Sequence, residues 1–186
     1  MENIDDLDIQ LVLFDVDGVM TDGTIFINEH GEYFKSFNVK DGLAIELMRI
    51  HGLRTGIISG KSSSSLKTRC EQLGFDEIVM GCKNKLPKLE ELCDKHGINT
   101  HQVAFVGDDV LDLPLFECVG LSVAPSDAHL LVLESATWVT TLAGGKGMVR
   151  EFVDRLLCSQ LNKSLSEIYH PLIQQLKLNE TDQIEQ

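Results

Sequence analysis

Short apolar runs recur along the chain, and each has the length of a buried β-strand. The runs cover residues 9–14, 53–58, 77–80, 103–106, 120–123 and 136–140. Between them, apolar residues recur every three or four positions, which is the spacing of a helix face that packs on a core. Strands that alternate with helices form a parallel sheet with helices on both faces. The pattern therefore predicts an α/β domain with a doubly wound, Rossmann-like parallel sheet.

One segment departs from this alternation. Residues 24–28 and 32–37 alternate polar and apolar side chains on either side of a Glu-His-Gly sequence. Period-two alternation around a glycine that can form the turn is typical of a β-hairpin. We therefore expect a β-hairpin over residues 24–37, inserted after the first strand.

The sequence pattern of the C-terminal region predicts an arm that follows the domain. Apolar residues recur at helical spacing over 165–176, with Pro171 among them, and the chain becomes polar over 179–186. We expect the helical part to dock within or between subunits and the polar end to be disordered. The predicted division is a domain over residues 1–158 and a partly disordered arm over 159–186.

Composition and charge narrow the class of protein. The chain has 186 residues, 43% of them hydrophobic, and a formal net charge of −13. That negative charge repels nucleic acid and anionic membrane surfaces. No apolar run approaches the roughly 18 residues that a membrane span needs, and the start is acidic rather than basic. We therefore expect a cytoplasmic protein with no nucleic-acid or membrane partner.

Candidate chemistry begins where the first predicted strand ends, in the sequence Phe-Asp-Val-Asp-Gly over residues 14–18. Ligands of doubly wound sheets bind beyond the carboxyl ends of the strands, and two acids two positions apart in extended chain point to the same side. We expect Asp15 and Asp17 to face one pocket, where paired carboxylates suit a divalent cation. Taken alone, the same residues also fit a strand that ends in a turn with solvated acids.

A second acidic cluster follows the fourth run of the predicted sheet. It contains Asp108 and Asp109, with Asp112 close behind. Two acidic clusters at the ends of separate parallel strands, in a chain without His or Cys at ligand spacing, predict an oxygen-ligated Mg²⁺ site. As an alternative, Asp108 and Asp109 would cap a helix.

A site for a phosphate-sized anion is expected after the second run. Ser59, Gly60 and Lys61 offer a hydroxyl and free backbone amides where a helix is predicted to start. Lys85, at the start of the next helical pattern, would neutralise charge on a phosphoryl group. Each feature alone is commoner as a loop, a cap or a solvated lysine.

These four elements in this order resemble the haloacid dehalogenase superfamily of phosphotransferases, over residues 9–158. Longer strings are similar to its capless subfamily of 3-deoxy-D-manno-octulosonate 8-phosphate phosphatases. The strings cover residues 15–23, 37–42, 107–114 and 120–128. The intervals 18–58 and 60–84 are too short to hold a separate cap domain, so we expect none.

The resemblance implies a magnesium-dependent phosphatase. Asp15 would attack phosphorus to form an aspartyl-phosphate, and Asp17 would protonate the leaving oxygen and then activate water. Mg²⁺ would be held by the Asp15 carboxylate, the Asp17 backbone carbonyl and Asp108. Asp109 would support the cation from nearby.

The substrate implied by the resemblance is a phosphorylated sugar acid. Its binding residues would be Ser59, Gly60, Lys61, Lys85 and Lys146. The subfamily has arginine where this chain has Lys61 and Lys146, and lysine cannot form a bidentate fork with a carboxylate. Three readings therefore stay open: a phosphatase of the eight-carbon acid in lipopolysaccharide biosynthesis, a phosphatase of a nine-carbon keto-deoxy sugar acid 9-phosphate, and a non-catalytic regulatory module.

The resemblance also implies a homotetramer. A capless pocket needs another element to exclude water. In the subfamily, neighbouring subunits supply that cover through the hairpin and the C-terminal region. The matching segments are residues 24–37 and the chain from Gly144 onward.

Overall fold

The computed structural model of the chain describes residues 8–184, and the side chains of residues 8–177. The strands are β1 (Leu11–Phe14), β2 (Phe26–Asn28), β3 (Gly31–Phe34), β4 (Arg54–Ile58), β5 (Glu77–Val79), β6 (Val103–Val106), β7 (Leu121–Ala124) and β8 (Trp138–Val139). The α-helices are α1 (Val39–Ile50), α2 (Ser64–Leu73), α3 (Leu86–His96), α4 (Leu113–Phe116), α5 (Leu130–Ser135), α6 (Met148–Leu161) and α7 (Leu165–Ile184).

The central sheet is parallel, with the strand order β5-β4-β1-β6-β7-β8. The chain moves outward from β1 through β4 to β5 and then returns to β6 on the other side of β1. Phe14, the last residue of β1, is consequently paired with Ile57 of β4 and with Val106 of β6. This reversal is the place where doubly wound sheets bind ligands. The predicted α/β class is confirmed, and each predicted strand of the sheet is present.

Apolar side chains bury both faces of the sheet. Val12 and Phe14 of β1 belong to the cluster beneath α1, α2, α6 and α7, whereas Leu11 and Leu13 belong to the cluster beneath α3, α4 and α5. Successive side chains of a strand point to opposite faces. A strand covered on both sides is therefore apolar at every position, as the sequence pattern indicated.

The predicted hairpin is formed by β2 and β3, which pair in antiparallel fashion. Gly31 begins β3 with a φ of +108°, a conformation that side chains with a Cβ rarely adopt. Between β1 and α1 the described chain forms this hairpin and no separate cap domain. Several apolar side chains of this segment are exposed: Ile25, Phe26, Ile27, Tyr33 and Phe34.

The C-terminal arm packs on the domain that precedes it. Helix α6 continues past residue 158, so the expected boundary falls inside a helix. Ile168 and Leu172 of α7 are buried in the core, and the Ile168 carbonyl lies 2.9 Å from Nε2 of His51, the residue that follows α1. The residues expected to be disordered, 179–186, overlap the end of α7 and extend outside the described residues. Over the described part, no helix is both long and apolar enough to cross a membrane.

A buried carboxylate joins α1 to α6. Asp41 lies in the first turn of α1, and its Oδ1 accepts a hydrogen bond of 3.0 Å from the Arg150 amide. Burial raises the pKa of Asp41, while hydrogen bonds from the amides of Arg150, Gly147 and Val149 oppose that rise. These amides belong to the start of α6, where backbone N–H groups have no partner within the helix. Asp41 therefore caps α6 from a neighbouring helix.

We expect Asp41→Ala to destabilise the protein because the start of α6 loses its acceptor. Loss of a helix cap costs about 1–2 kcal/mol, which corresponds to a fall in Tm of roughly 2–8 °C for a chain of this size. Asp41→Asn keeps an acceptor oxygen and should lose less. Thermal unfolding of both variants checks this, and an unchanged Tm for Asp41→Ala would contradict the capping role.

Candidate active site

A cavity of about 450 Å³ opens at the carboxyl ends of β1, β4 and β6. The predicted site residues that line it are Asp15, Asp17, Ser59, Gly60, Lys61, Lys85, Asp108 and Asp109. It is also lined by residues that the sequence did not assign to the site: Lys83, Leu111 and Asp112. The topology thus brings together acids and bases that lie far apart in the chain.

Asp15 is fixed where β1 leaves the sheet. Its backbone amide donates to the Val106 carbonyl at 2.8 Å, which continues the pairing of β1 with β6. Its carboxylate is largely buried, and Oδ1 lies 2.9 Å from Nζ of Lys85. Burial raises the pKa of Asp15 to about 6, although the Lys85 ammonium opposes the rise. The Lys85 ammonium beside it favours the ionised carboxylate, which is the form that a nucleophile needs.

Lys85 is a buried cation between two carboxylates. Its Nζ lies 2.6 Å from Oδ1 of Asp112 as well as 2.9 Å from Oδ1 of Asp15. Burial disfavours its charge, but the attraction of Asp15 and Asp112 outweighs burial and raises the pKa of Lys85. The residue therefore carries a fixed positive charge beside the candidate nucleophile.

Three carboxylates crowd the inner wall of the cavity. One oxygen each from Asp15, Asp108 and Asp112 lie within 4.8 Å of one another. Oδ1 of Asp108 is buried and has no hydrogen-bond partner among the described residues. Burial, together with the charges of Asp15 and Asp112, raises the pKa of Asp108 to about 8. A divalent cation would relieve this repulsion and use the free oxygen, so the donor set fits Mg²⁺.

The β1 loop can approach Asp108 because it contains glycine. A Cβ on Gly18 would lie 1.9 Å from Oδ2 of Asp108. Gly18 also has a φ of +89°, which disfavours other residues. Any side chain at this position would therefore displace the loop that carries Asp17 or the Asp108 carboxylate.

The carboxylates of Asp109 and Asp112 have different hydrogen-bond partners. Asp109 Oδ1 accepts a 2.7 Å hydrogen bond from the Val110 amide and so caps the turn at Val110–Asp112. Asp112 is buried, and its Oδ2 accepts a 3.1 Å hydrogen bond from the Asp108 amide. The helix-cap alternative thus describes Asp109, whereas Asp112 lies with the crowded carboxylates. Sequence reasoning noticed Asp112 but gave it no role.

Ser59 and its neighbours form a loop after β4. The Ser59 amide donates to the Val79 carbonyl at 2.9 Å, and its Oγ accepts from the Lys61 amide at 3.2 Å. Lys61 lies at the mouth of the cavity with 45% of its side chain exposed. Helix α2 begins only at Ser64, with Ser63 as its N-cap, so the helix starts later than the sequence indicated.

Lys146 does not line the cavity. Its Nζ lies 3.3 Å from Oδ2 of Asp22, in the loop after β1. The glycine-rich loop 144–147 packs closely on that loop, since a Cβ on Gly144 would lie 1.9 Å from the Gly18 carbonyl oxygen. A role for Lys146 in substrate binding stays a prediction.

Sequence reasoning missed a lysine that contacts the site. Nζ of Lys35, just after β3, donates a 2.5 Å hydrogen bond to Oδ1 of Asp17. The hairpin pattern of residues 24–37 predicted two strands and gave no indication that one of its polar residues turns inward.

Known proteins share this sequence and fold. The family model for haloacid dehalogenase-like hydrolases matches residues 70–151. The 3-deoxy-D-manno-octulosonate 8-phosphate phosphatase of Escherichia coli (strain K12) is 43% identical over 152 residues, which cover 82% of this chain and 81% of that protein. The chain belongs to the haloacid dehalogenase-like hydrolases. It is a phosphatase, that is, a phosphomonoester hydrolase.

Solved structures place the phosphatase in the capless branch of its family. The crystal structure of 3-deoxy-D-manno-octulosonate 8-phosphate phosphatase from Yersinia pestis superposes with a TM-score of 0.82 at 39% identity, covering 86% of this chain and 87% of that one. The enzyme from Moraxella catarrhalis, in complex with a magnesium ion, a phosphate ion and a KDO molecule, gives a TM-score of 0.83 at 34% identity, covering 87% and 94%. The expected family resemblance is thereby confirmed.

We expect Asp108→Asn to stabilise the metal-free phosphatase and to remove its response to Mg²⁺. Asn cannot ionise, so the variant avoids the cost of the buried Asp108 carboxyl, whose pKa burial and the charges of Asp15 and Asp112 raise; the gain is about 1 kcal/mol or roughly 2–4 °C in Tm. The wild type should gain Tm on addition of Mg²⁺ and the variant should not, because a ligand has been lost. Glu117→Gln, an exposed acid on the same segment, is the matched control.

Thermal unfolding with and without Mg²⁺ measures both effects. A variant that keeps the full Mg²⁺-dependent rise in Tm would exclude Asp108 as a ligand.

Proposed function

We propose that this phosphatase hydrolyses 3-deoxy-D-manno-octulosonate 8-phosphate to the free sugar acid and phosphate, with Mg²⁺ as cofactor. The proposal rests on one observation above all. Two carboxylates, a hydroxyl and a buried lysine line one cavity and could serve as nucleophile, acid and phosphate-binding groups: Asp15, Asp17, Ser59 and Lys85. The substrate is inferred from relatives that carry this activity in their names.

In the first step, a carboxylate oxygen of Asp15 attacks phosphorus, and the bond between phosphorus and the sugar oxygen breaks. Asp17 gives its proton to the leaving sugar oxygen. Lys85 lies within 2.9 Å of Asp15, so its ammonium reduces the repulsion between the carboxylate and the incoming phosphate. The Ser59 hydroxyl and the amides of its loop hold the phosphoryl oxygens.

In the second step, water attacks the phosphorus of the aspartyl-phosphate. The Asp17 carboxylate takes a proton from that water, and the bond between phosphorus and Asp15 breaks. Inorganic phosphate leaves, Asp15 returns as a carboxylate, and Asp17 is again protonated. One acid thus serves both steps, because the proton that it gives up in the first is recovered in the second.

The cation would be held by the carboxylates of Asp15 and Asp108 and the backbone carbonyl of Asp17. The Asp112 carboxylate lies close to those of Asp15 and Asp108. Asp112, rather than Asp109, would therefore support the bound cation. When bound, Mg²⁺ supplies positive charge that stabilises the transferring phosphoryl group. The unpartnered Oδ1 of Asp108 supports this assignment.

The identity of the sugar acid depends on the cavity mouth. The exposed ammonium of Lys61 and the side chain of Lys83 line the cavity and can attract a carboxylate. Neither forms the bidentate contact of an arginine. A nine-carbon keto-deoxy sugar acid 9-phosphate therefore remains the second candidate substrate. The non-catalytic alternative is wrong, because the chain is a phosphatase.

Phosphate release from a set of substrates tests the activity. The set comprises the eight-carbon acid phosphate, a nine-carbon keto-deoxy acid 9-phosphate and simple sugar phosphates, each with Mg²⁺ and with EDTA. We expect Mg²⁺-dependent preference for the eight-carbon acid, and a loss of roughly 10⁴-fold or more in Asp15→Asn, because the nucleophile is gone. Preference for another phosphate would keep the mechanism and replace the substrate. Substantial turnover by Asp15→Asn would exclude Asp15 as the nucleophile.

We further propose that the phosphatase is a homotetramer in the cytoplasm and that the hairpin mediates its assembly. Exposed side chains of the hairpin include Ile27, 73% exposed, and Tyr33, 69% exposed. Apolar patches of this kind are typical of contacts between proteins.

Sedimentation equilibrium should give four times the chain mass for the wild type. A smaller mass is expected for Ile27→Lys, because it introduces a charge into the contact. A wild-type monomer would refute the assembly.

A further inference from the structure

Lys35 connects the hairpin to the candidate acid. Its Nζ lies 2.5 Å from Oδ1 of Asp17 and 3.1 Å from Oε2 of Glu32. Only 2% of the Lys35 side chain is exposed, although the strands on which the hairpin is built are largely open to solvent. The strongly hydrated ammonium group of a lysine is buried only where carboxylates replace its water.

The ammonium of Lys35 donates to both acids, since its Nζ lies within hydrogen-bond distance of Asp17 and of Glu32. Lysine has no acceptor, so every one of its contacts must be a donation. Lys35 therefore acts as a fixed donor shared by two acids.

The contacts of Asp17 show which oxygen is restrained. Oδ1 is held by Lys35 at 2.5 Å, whereas Oδ2 faces the exposed Lys61 across 3.9 Å, beyond hydrogen-bond distance. Asp17 itself lines the cavity. One oxygen of the carboxylate is thus anchored, and the other is left for a proton.

We propose that Lys35 is a positioning residue for Asp17, which it holds with one oxygen anchored and the other free to exchange a proton with the substrate. This inference rests on the proposed function, since it needs Asp17 as the general acid. Restricting a catalytic group to the reactive orientation lowers the barrier by reducing the entropy that must be lost. Because Lys35 belongs to the hairpin and not to the sheet, the orientation of Asp17 depends on how the hairpin is seated.

The test compares leaving groups. A sugar alkoxide needs a proton as it leaves, whereas 4-nitrophenolate leaves without one. The value of kcat/KM covers the steps up to release of the leaving group, so it isolates the action of the acid. We expect Lys35→Met to lower kcat/KM for the sugar phosphate by roughly 30-fold or more, and that for 4-nitrophenyl phosphate by less than about threefold.

Three further variants complete the experiment. Asp17→Asn removes the acid itself and shows how far the resulting loss of kcat/KM depends on the leaving group. Lys35→Arg retains a cation and should recover part of the lost selectivity for the sugar phosphate. Lys67→Met is the matched control, because Lys67 pairs with Glu71 at 3.8 Å on the surface of α2 and 61% of its side chain is exposed. It should match the wild type.

The outcomes separate the two hypotheses. If Asp17→Asn lowers kcat/KM equally for both substrates, Asp17 is not the general acid, and the proposed mechanism fails. Suppose instead that Asp17→Asn lowers kcat/KM mainly for the sugar phosphate, whereas Lys35→Met leaves kcat/KM unchanged for both substrates or lowers it equally for both. The positioning role then fails while the mechanism stands. If Lys35→Met does not fold, Lys35→Ala is read by the same criterion, because it also removes the donor.

Discussion

Repulsion among carboxylates at the carboxyl edge of β1 and β6 governs the rest of the site. Asp15, Asp108 and Asp112 lie close enough to bind one ion, and burial strengthens their repulsion because water no longer screens it. Lys85 neutralises Asp15 and Asp112 but leaves an oxygen of Asp108 without a partner. The arrangement is costly for the folded chain alone, and a bound cation would offset that cost.

The sheet topology makes that arrangement possible. β1 occupies the centre, and the chain reverses direction beside it, so the loops after β1, β4 and β6 open into one cavity. Two lysines then pair with the acids. Lys85 enters from the start of α3 and Lys35 from the hairpin. Helix α3 and the hairpin thus each supply one cation to one of the two acids that follow β1.

Much of the fold and of the candidate site could be predicted from the sequence, because the informative residues directly follow buried strands. The apolar runs predicted the six strands of the sheet, and Asp15, Asp17, Ser59 and Asp108 follow the ends of β1, β4 and β6. The roles of Asp109 and Asp112 were harder to separate. Both are acids in one short turn, and only the direction of each side chain distinguishes a cap from a member of the carboxylate cluster.

The sequence by itself determined the fold class, the hairpin and the group of residues at the carboxyl edge, since local patterns of burial and strand ends encode them. The tertiary structure alone decided that Lys35 contacts Asp17, that Asp41 caps α6, and that α7 packs on its own domain. These contacts join residues with no fixed spacing in the chain. Their partners are set by how helices and hairpin pack around the sheet, and periodicity contains no information about that packing.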